Sequence, residues 1–198
     1  MREARSLPCF QLSTLSAGRT ALTVLLALTL GVLGGCAGTR GQTEPRTPGN
    51  FIDDEAIETL AIREIRKSDP GLKRAHLSAV SFNGILLLLG QVDNEALKRQ
   101  ALDAATKIRK ARTIHNEIEI SGPISRVARS NDAWLTSKVK SRLLARRDIR
   151  GVRTKVVTEN SIVYLMGLVT RDHAQKSVEV AQKVFGVQKI VKVFEYID

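Results

Sequence analysis

The chain has 198 residues, 43% of them hydrophobic and 26% charged. That suits one ordinary domain or two small ones and excludes long disorder. The 31 basic residues against 20 acidic ones give a net charge of +11. Aromatics are only 4%, too few for an aromatic-lined sugar or single-strand groove. Two cysteines, Cys9 and Cys36, and three separated histidines make neither a disulfide framework nor a zinc site. No Ser–His–Asp set, carboxylate pair or phosphate loop is present, so no catalytic residue, metal or cofactor is expected.

The N-terminus reads as an export signal, residues 1–35. Arg2, Arg5 and Arg19 precede the apolar run Thr20–Leu33. At ~1.5 Å per residue this run spans ~21 Å, short of the ~30 Å hydrocarbon core. Leu33-Gly34-Gly35-Cys36 follows and resembles the bacterial lipobox. Its cysteine thiol accepts a diacylglyceryl group, so Cys36 is the expected lipid anchor and Cys9 is lost with the signal. Ala37 follows the cysteine rather than an inner-membrane retention aspartate, which favours the outer membrane, facing the periplasm. Residues 36–50 then read as a flexible Gly/Pro/Thr-rich tether.

From residue 51 the elements come in the order αββαβ. Asp53–Lys67 puts Ile57, Leu60, Ala61 and Ile65 on one helical face, its leading acids suiting the helix dipole, and Asp69-Pro70-Gly71 stops it. His76–Phe82 and Ile85–Val92 are strands around Asn83-Gly84, a type I′ hairpin signal. Asn94–Lys110 is helical and Arg112–Ile120 alternates as a last strand. The order then recurs: a helix over Asp132–Arg147, a hairpin of Val152–Thr158 and Ile162–Val169, a helix over Arg171–Val184 and a strand over Val187–Ile197.

The recurrence is residue by residue. Gly90-Gln91-Val92 meets Gly167-Leu168-Val169, Asn83-Gly84-Ile85 meets Asn160-Ser161-Ile162, and Asp54 to Ile57 meets Asp132 to Leu135. The chain is therefore two copies, 51–120 and 129–198, joined by a linker over 121–128. These motifs, with Phe185-Gly186-Val187 and Ile114-His115-Asn116-Glu117-Ile118, resemble the BON domain. The resemblance implies an α+β fold, two tandem αββαβ units, each a three-stranded mixed sheet covered by two helices. It further implies a non-enzymatic envelope protein that supports envelope integrity and concentrates at sites of division. Lys110 stands in copy one where copy two has Gly186, which puts the tightness of that turn in question.

The copies differ in charge. Residues 51–120 hold 11 basic and 11 acidic residues, whereas 121–198 hold 15 and 7, a net of +8. After export nucleic acid is excluded as a partner, and the available anionic surface is phospholipid, attracting at ~1 kcal/mol per Lys or Arg. On helix 132–147, Leu135, Val139 and Leu143 form the core stripe at about 0°, 40° and 80°. The only tryptophan, Trp134, falls well off this stripe beside Lys138, Ser141 and Arg142. The copy-one position holds Ala56. An outward Trp among cations suits a head-group interface. A Trp134 buried by the other copy is the alternative. The family resemblance implies the same helix as the phospholipid-binding surface, giving Trp134, Leu135, Lys138, Ser141 and Arg142 as its residues.

His115, opposite Ile114, and His173 are expected on the surface, and His76 opens a strand with no evident partner. Arg146, Arg147, Arg150 and Arg153 either extend the basic patch or solvate a helix end. The chain reads as a monomer on an anionic phospholipid surface. The rival is an adaptor for envelope proteins, an assembly machine or cell-wall hydrolase, docking through copy one.

Overall fold

The computed structural model describes residues 48–149 and 154–197. The signal, Cys36 and the tether up to residue 47 lie outside the described residues, as do Arg150, Arg153 and the first two residues of the Val152–Thr158 strand.

Repeat 1 consists of α1 (Pro48–Ser68), a short α2 (Pro70–Arg74), β1 (His76–Phe82), β2 (Ile85–Val92), α3 (Glu95–Thr106), β3 (Thr113–Asn116) and β4 (Glu119–Ile120). Repeat 2 consists of α4 (Arg126–Ala145), β5 (Thr154–Glu159), β6 (Ile162–Val169), α5 (Arg171–Gln182) and β7 (Lys189–Tyr196). In each repeat a hairpin pairs antiparallel and the last strand adds parallel to the hairpin's second strand. A parallel neighbour needs a crossover, which α3 and α5 supply. The fold is α+β with two mixed sheets.

Both hairpins turn through left-handed residues, Asn83 and Gly84 in one, Asn160 and Ser161 in the other. Two successive positive φ values are what a type I′ turn requires. Beneath each turn lies a buried aspartate from the preceding helix. Asp54 accepts from the Ser81 hydroxyl (2.7 Å) and from the Asn83 and Gly84 amides (both 2.9 Å). Asp132 accepts from the Asn160 (2.9 Å) and Ser161 (2.8 Å) amides. Asp54 therefore does not serve the helix dipole as expected from the Asp53-Asp54-Glu55 cluster. The helix begins at Pro48, so this cluster stands beyond its first turn, and Asp54 is a turn clamp.

Other local chemistry shifts the expected boundaries. Ser125 caps α4 by accepting from the Ala128 amide, so this helix starts at Arg126 and the linker shortens to 121–125. Asp69-Pro70-Gly71 ends α1, and Asp69 immediately caps α2. The last strand of repeat 1 is split because the Asn116 side-chain oxygen Oδ1 takes the Ile118 amide (3.3 Å) out of the ladder. Gly90 sits at φ +121°, where a Cβ would stand 1.9 Å from the His76 carbonyl oxygen. Gly186 sits at φ +99°, whereas Lys110 is not at positive φ and instead pairs with Asp53 at 2.7 Å. The two helix-to-strand turns thus differ at this position.

The described residues lie within one compact unit, and its cores explain why. In repeat 1, α1 and α3 cover one sheet face with Ile57, Ala61, Ile65, Ala101 and Ala105 against Leu77, Leu86 and Leu88. In repeat 2, α4 and α5 do the same with Leu135, Val139, Leu143 and Ala181 against Val156, Val163 and Leu165. The alternate residues of both sheets form a third core: Val80, Phe82, Ile85, Leu87 and Leu89 with Tyr164, Met166 and Val193. The sheets therefore pack face to face, giving the layers helices, sheet, sheet, helices. This is why β2 is buried along its whole length and opens with the apolar run Ile85–Leu89.

Polar contacts between the repeats surround this core. Lys155 reaches Glu58 (2.7 Å) and the Ser81 carbonyl (3.0 Å), Gln91 donates to Glu159 (2.8 Å), and Arg112 pairs with Glu195 (2.9 Å). His76 stands 3.7 Å from the same Glu159, which supplies the partner its sequence position lacked. Tyr164 lies among these acids. Burial, then Glu117, Glu119 and Glu159, push its phenol well above the ordinary value.

Candidate functional site

Helix α4 carries the site. Its inner stripe is Leu135, Val139 and Leu143, all buried. Off that stripe Trp134 is 48% exposed, so the indole is not a core residue. The Lys138 ammonium lies 4.0 Å from its ring centroid, a cation–π contact. One turn further, the exposed Arg142 guanidinium donates to the carbonyl of Lys183, which caps the C-terminus of α5. A cation there satisfies an orphan carbonyl and complements the helix dipole. A guanidinium carries five N–H donors, so this contact leaves others for phosphate. Ser141 is exposed and donates to the Ser137 carbonyl (2.9 Å), back along its own helix.

Leu135 departs from the expected set. It is fully buried, and its Cδ2 closes on Gly186, where a Cβ would stand 3.0 Å away. Its position at the head of the core stripe prevails over its adjacency to Trp134. The structure therefore groups Trp134, Lys138, Ser141 and Arg142 on one outer flank and takes Leu135 inside.

The rest of the basic cluster is partly engaged. Arg146 holds Asp148 through two contacts, at 2.7 and 2.6 Å. That pairing draws the Asp148 carboxyl down to about 2. Arg147 is exposed. His115 is half-buried, on the strand face opposite Ile114, and His173 is half-buried at the start of α5.

The equivalent helix of repeat 1 serves as an internal control. Counting from the Asp54–Asp132 equivalence, Trp134, Lys138 and Arg142 correspond to Ala56, Leu60 and Glu64. Glu64 is drawn below its ordinary value by Lys67 and Arg63, so that flank is a neutralised cluster. At these three positions the aromatic and its two cations stand on the second repeat and not on the first.

Among the described residues the buried acids are Asp54 and Asp132, and both spend their oxygens on hairpin turns. Among the described residues no group of His, Cys, Asp or Glu could hold a metal ion. No described helix is long and apolar enough to cross a membrane.

Comparison with known proteins places these features in a family. The BON domain matches residues 53–122 and 131–198, and the chain belongs to the BON-domain family. It is 36% identical over 165 residues to the outer membrane lipoprotein DolP of Haemophilus influenzae, covering 83% of this chain and 86% of that protein. It is 33% identical to a 21 kDa hemolysin of Actinobacillus pleuropneumoniae, over 78% of this chain and 79% of that one. The osmotically inducible protein Y of Escherichia coli is 24% identical, over 78% of each.

Proposed function

We propose that this chain is a non-enzymatic outer-membrane lipoprotein, held through acylated Cys36 and facing the periplasm, that binds anionic phospholipid through its second BON repeat. The likeness to a protein named as an outer membrane lipoprotein supports the location, and the Leu33–Cys36 motif supports the anchor. The observation that carries the binding role is the half-exposed Trp134 with Lys138 on its ring and Arg142 beside it, against Ala56, Leu60 and Glu64 in repeat 1.

The chemistry follows from the side chains. An indole has an apolar body and one N–H donor, which suits the boundary between acyl chains and head groups. Lys138 and Arg142 then lie at phosphate depth, each adding ~1 kcal/mol of attraction. The protein works as a monomer, since its two repeats already cover each other's sheets. Binding across the periplasmic leaflet supports envelope integrity and draws the protein to sites of division.

The test is a vesicle titration with the chain from Ala37 onward, which keeps the whole packed unit and removes the acyl group. Binding to phosphatidylglycerol vesicles but not to phosphatidylcholine vesicles is expected. Failure to bind either surface rejects the phospholipid reading and leaves the envelope-protein adaptor.

A further inference from the structure

The most exposed large hydrophobic side chain among the described residues is Phe185, at 88%. It sits in the turn between α5 and β7, and this turn is held firmly. Val184 before it is buried in the repeat 2 core. The Val184 amide donates to Ala181 (3.1 Å), the Val187 amide to Val184 (3.2 Å), and the Gln188 amide to Ser161 (3.0 Å).

The same turn is pinned to helix α4 on both sides of Phe185. Gly186 lies against Leu135, the neighbour of Trp134. The Lys183 carbonyl receives Arg142. Phe185 thus stands between one residue that packs on the inner face of α4 at Leu135 and one that receives Arg142 from its outer flank. The fold does not require an aromatic at this point. Repeat 1 builds the corresponding turn with matching bonds, Ile108 to Ala105 and Ala111 to Ile108, both 3.0 Å, and places Arg109 where Phe185 stands.

A phenyl ring held in water gains nothing from folding, and its burial free energy is left to a bound state. The surroundings select the occupant. Lys138 lies over the Trp134 ring and Arg142 reaches the turn that carries Phe185, within residues 121–198 that carry a net of +8. We infer that Phe185 is a second insertion point into the anionic phospholipid surface, entering the acyl region from its turn while Trp134 enters from the helix. Two anchors on separate elements fix the tilt of repeat 2 on the membrane, which one anchor leaves free. This inference rests on the phospholipid reading above and adds a residue and an orientation to it.

The experiment uses the chain from Ala37 onward, with vesicles of equimolar phosphatidylethanolamine and phosphatidylglycerol and with Trp134 emission reporting binding. Phe185→Ala should weaken binding about tenfold, with an unchanged thermal midpoint. Phe185→Leu should recover most of the affinity. The loss in Phe185→Ala should persist at high salt, because it is apolar in origin. Wild-type affinity in Phe185→Ala overturns the inference and leaves the phospholipid reading standing. A wild-type chain that ignores these vesicles overturns both. A salt-sensitive loss that Phe185→Leu does not recover also overturns the inference, since the turn then acts through charge or fold.

Discussion

Asn83, at the tip of the β1–β2 hairpin, donates its side-chain amide to Glu195 on β7 of the other repeat at 2.7 Å. The relation is repeated in reverse. Asn160, at the tip of the β5–β6 hairpin, donates to Glu119 on β4 at 2.9 Å. Asn83 and Asn160 are equivalent positions, and so are Glu119 and Glu195. Each repeat thus grips the other in the same way, as the two halves of an isologous dimer do. The repeats behave as an internal pseudo-dimer around the shared core of Leu87, Leu89, Tyr164 and Met166.

The shared core predicts one cooperative unfolding transition. Met166→Ala, at a fully buried position between the sheets, should cost about 2–5 kcal/mol. Circular dichroism, which sees both repeats, and Trp134 fluorescence, which sees the second, should report coincident denaturation curves. Two separated midpoints would show that the repeats fold independently.

The turn clamps should matter more than their exposed neighbours. Asp132→Ala strands the Asn160 and Ser161 amides, and each buried unsatisfied donor costs about 1–3 kcal/mol. The exposed Glu55→Ala should stay within about 0.5 kcal/mol. Urea denaturation of the two variants checks the contrast.

Glycine at position 90 is a steric demand. Gly90→Ala places a Cβ against the His76 carbonyl at a φ that L-residues avoid, and the variant should fold poorly or aggregate. Gly122→Ala meets nothing within 4 Å and should shift stability by no more than about 0.5 kcal/mol. Yield and thermal midpoint decide between them.

The interface should carry part of the acid sensitivity. A hydrogen bond from Arg112, then one from Asn83, holds Glu195 below its ordinary value of 4.5. A carboxylate held low in the folded state stabilises fully above the unfolded value and loses that contribution as pH falls through the folded one. Glu195→Gln should therefore flatten the stability-versus-pH curve below about pH 4.5 and leave its slope at neutral pH unchanged. Thermal midpoints across an acid series measure it. An undiminished acid slope in the variant would exclude this residue.

On the α4 flank, Trp134→Ala should weaken phosphatidylglycerol binding while costing no more than the cation–π contact, about 0.5–1 kcal/mol. Arg142→Glu should weaken binding further, and added salt should weaken the wild type. Leu135→Ala is the control in the opposite sense, losing about 2–5 kcal/mol of stability because its side chain is wholly inside. Vesicle co-sedimentation beside thermal melts separates the two kinds of effect. A melt that collapses in Trp134→Ala would place the indole in the core.

Much of this protein is written in local chemistry. The two hairpins follow from Asn83-Gly84 and Asn160-Ser161, residues that accept positive φ, and β1, β2 and β6 fall within their expected bounds. The repeat and the core faces of α1 and α4 follow from apolar spacing, because a helix or strand buries its own periodic stripe whatever surrounds it. The clamp role of Asp54 was hidden, since an acid near a helix start looks the same whether it meets a dipole or a hairpin 29 residues away. Helical periodicity already sets Leu135 on the core stripe and Trp134 off it, and the Gly186 turn then closes on Leu135 while Trp134 stays exposed. The expectation of a sheet covered by two helices accounted for one face only, and nothing local in Ile85–Leu89 says what lies against the other. Only the tertiary structure decided that the second face of each sheet meets the other sheet. That choice seals Leu87 and Met166 in one core, turns both helical layers outward and leaves Trp134 and Phe185 in water, because an apolar face is satisfied by whichever apolar surface the chain can bring to it.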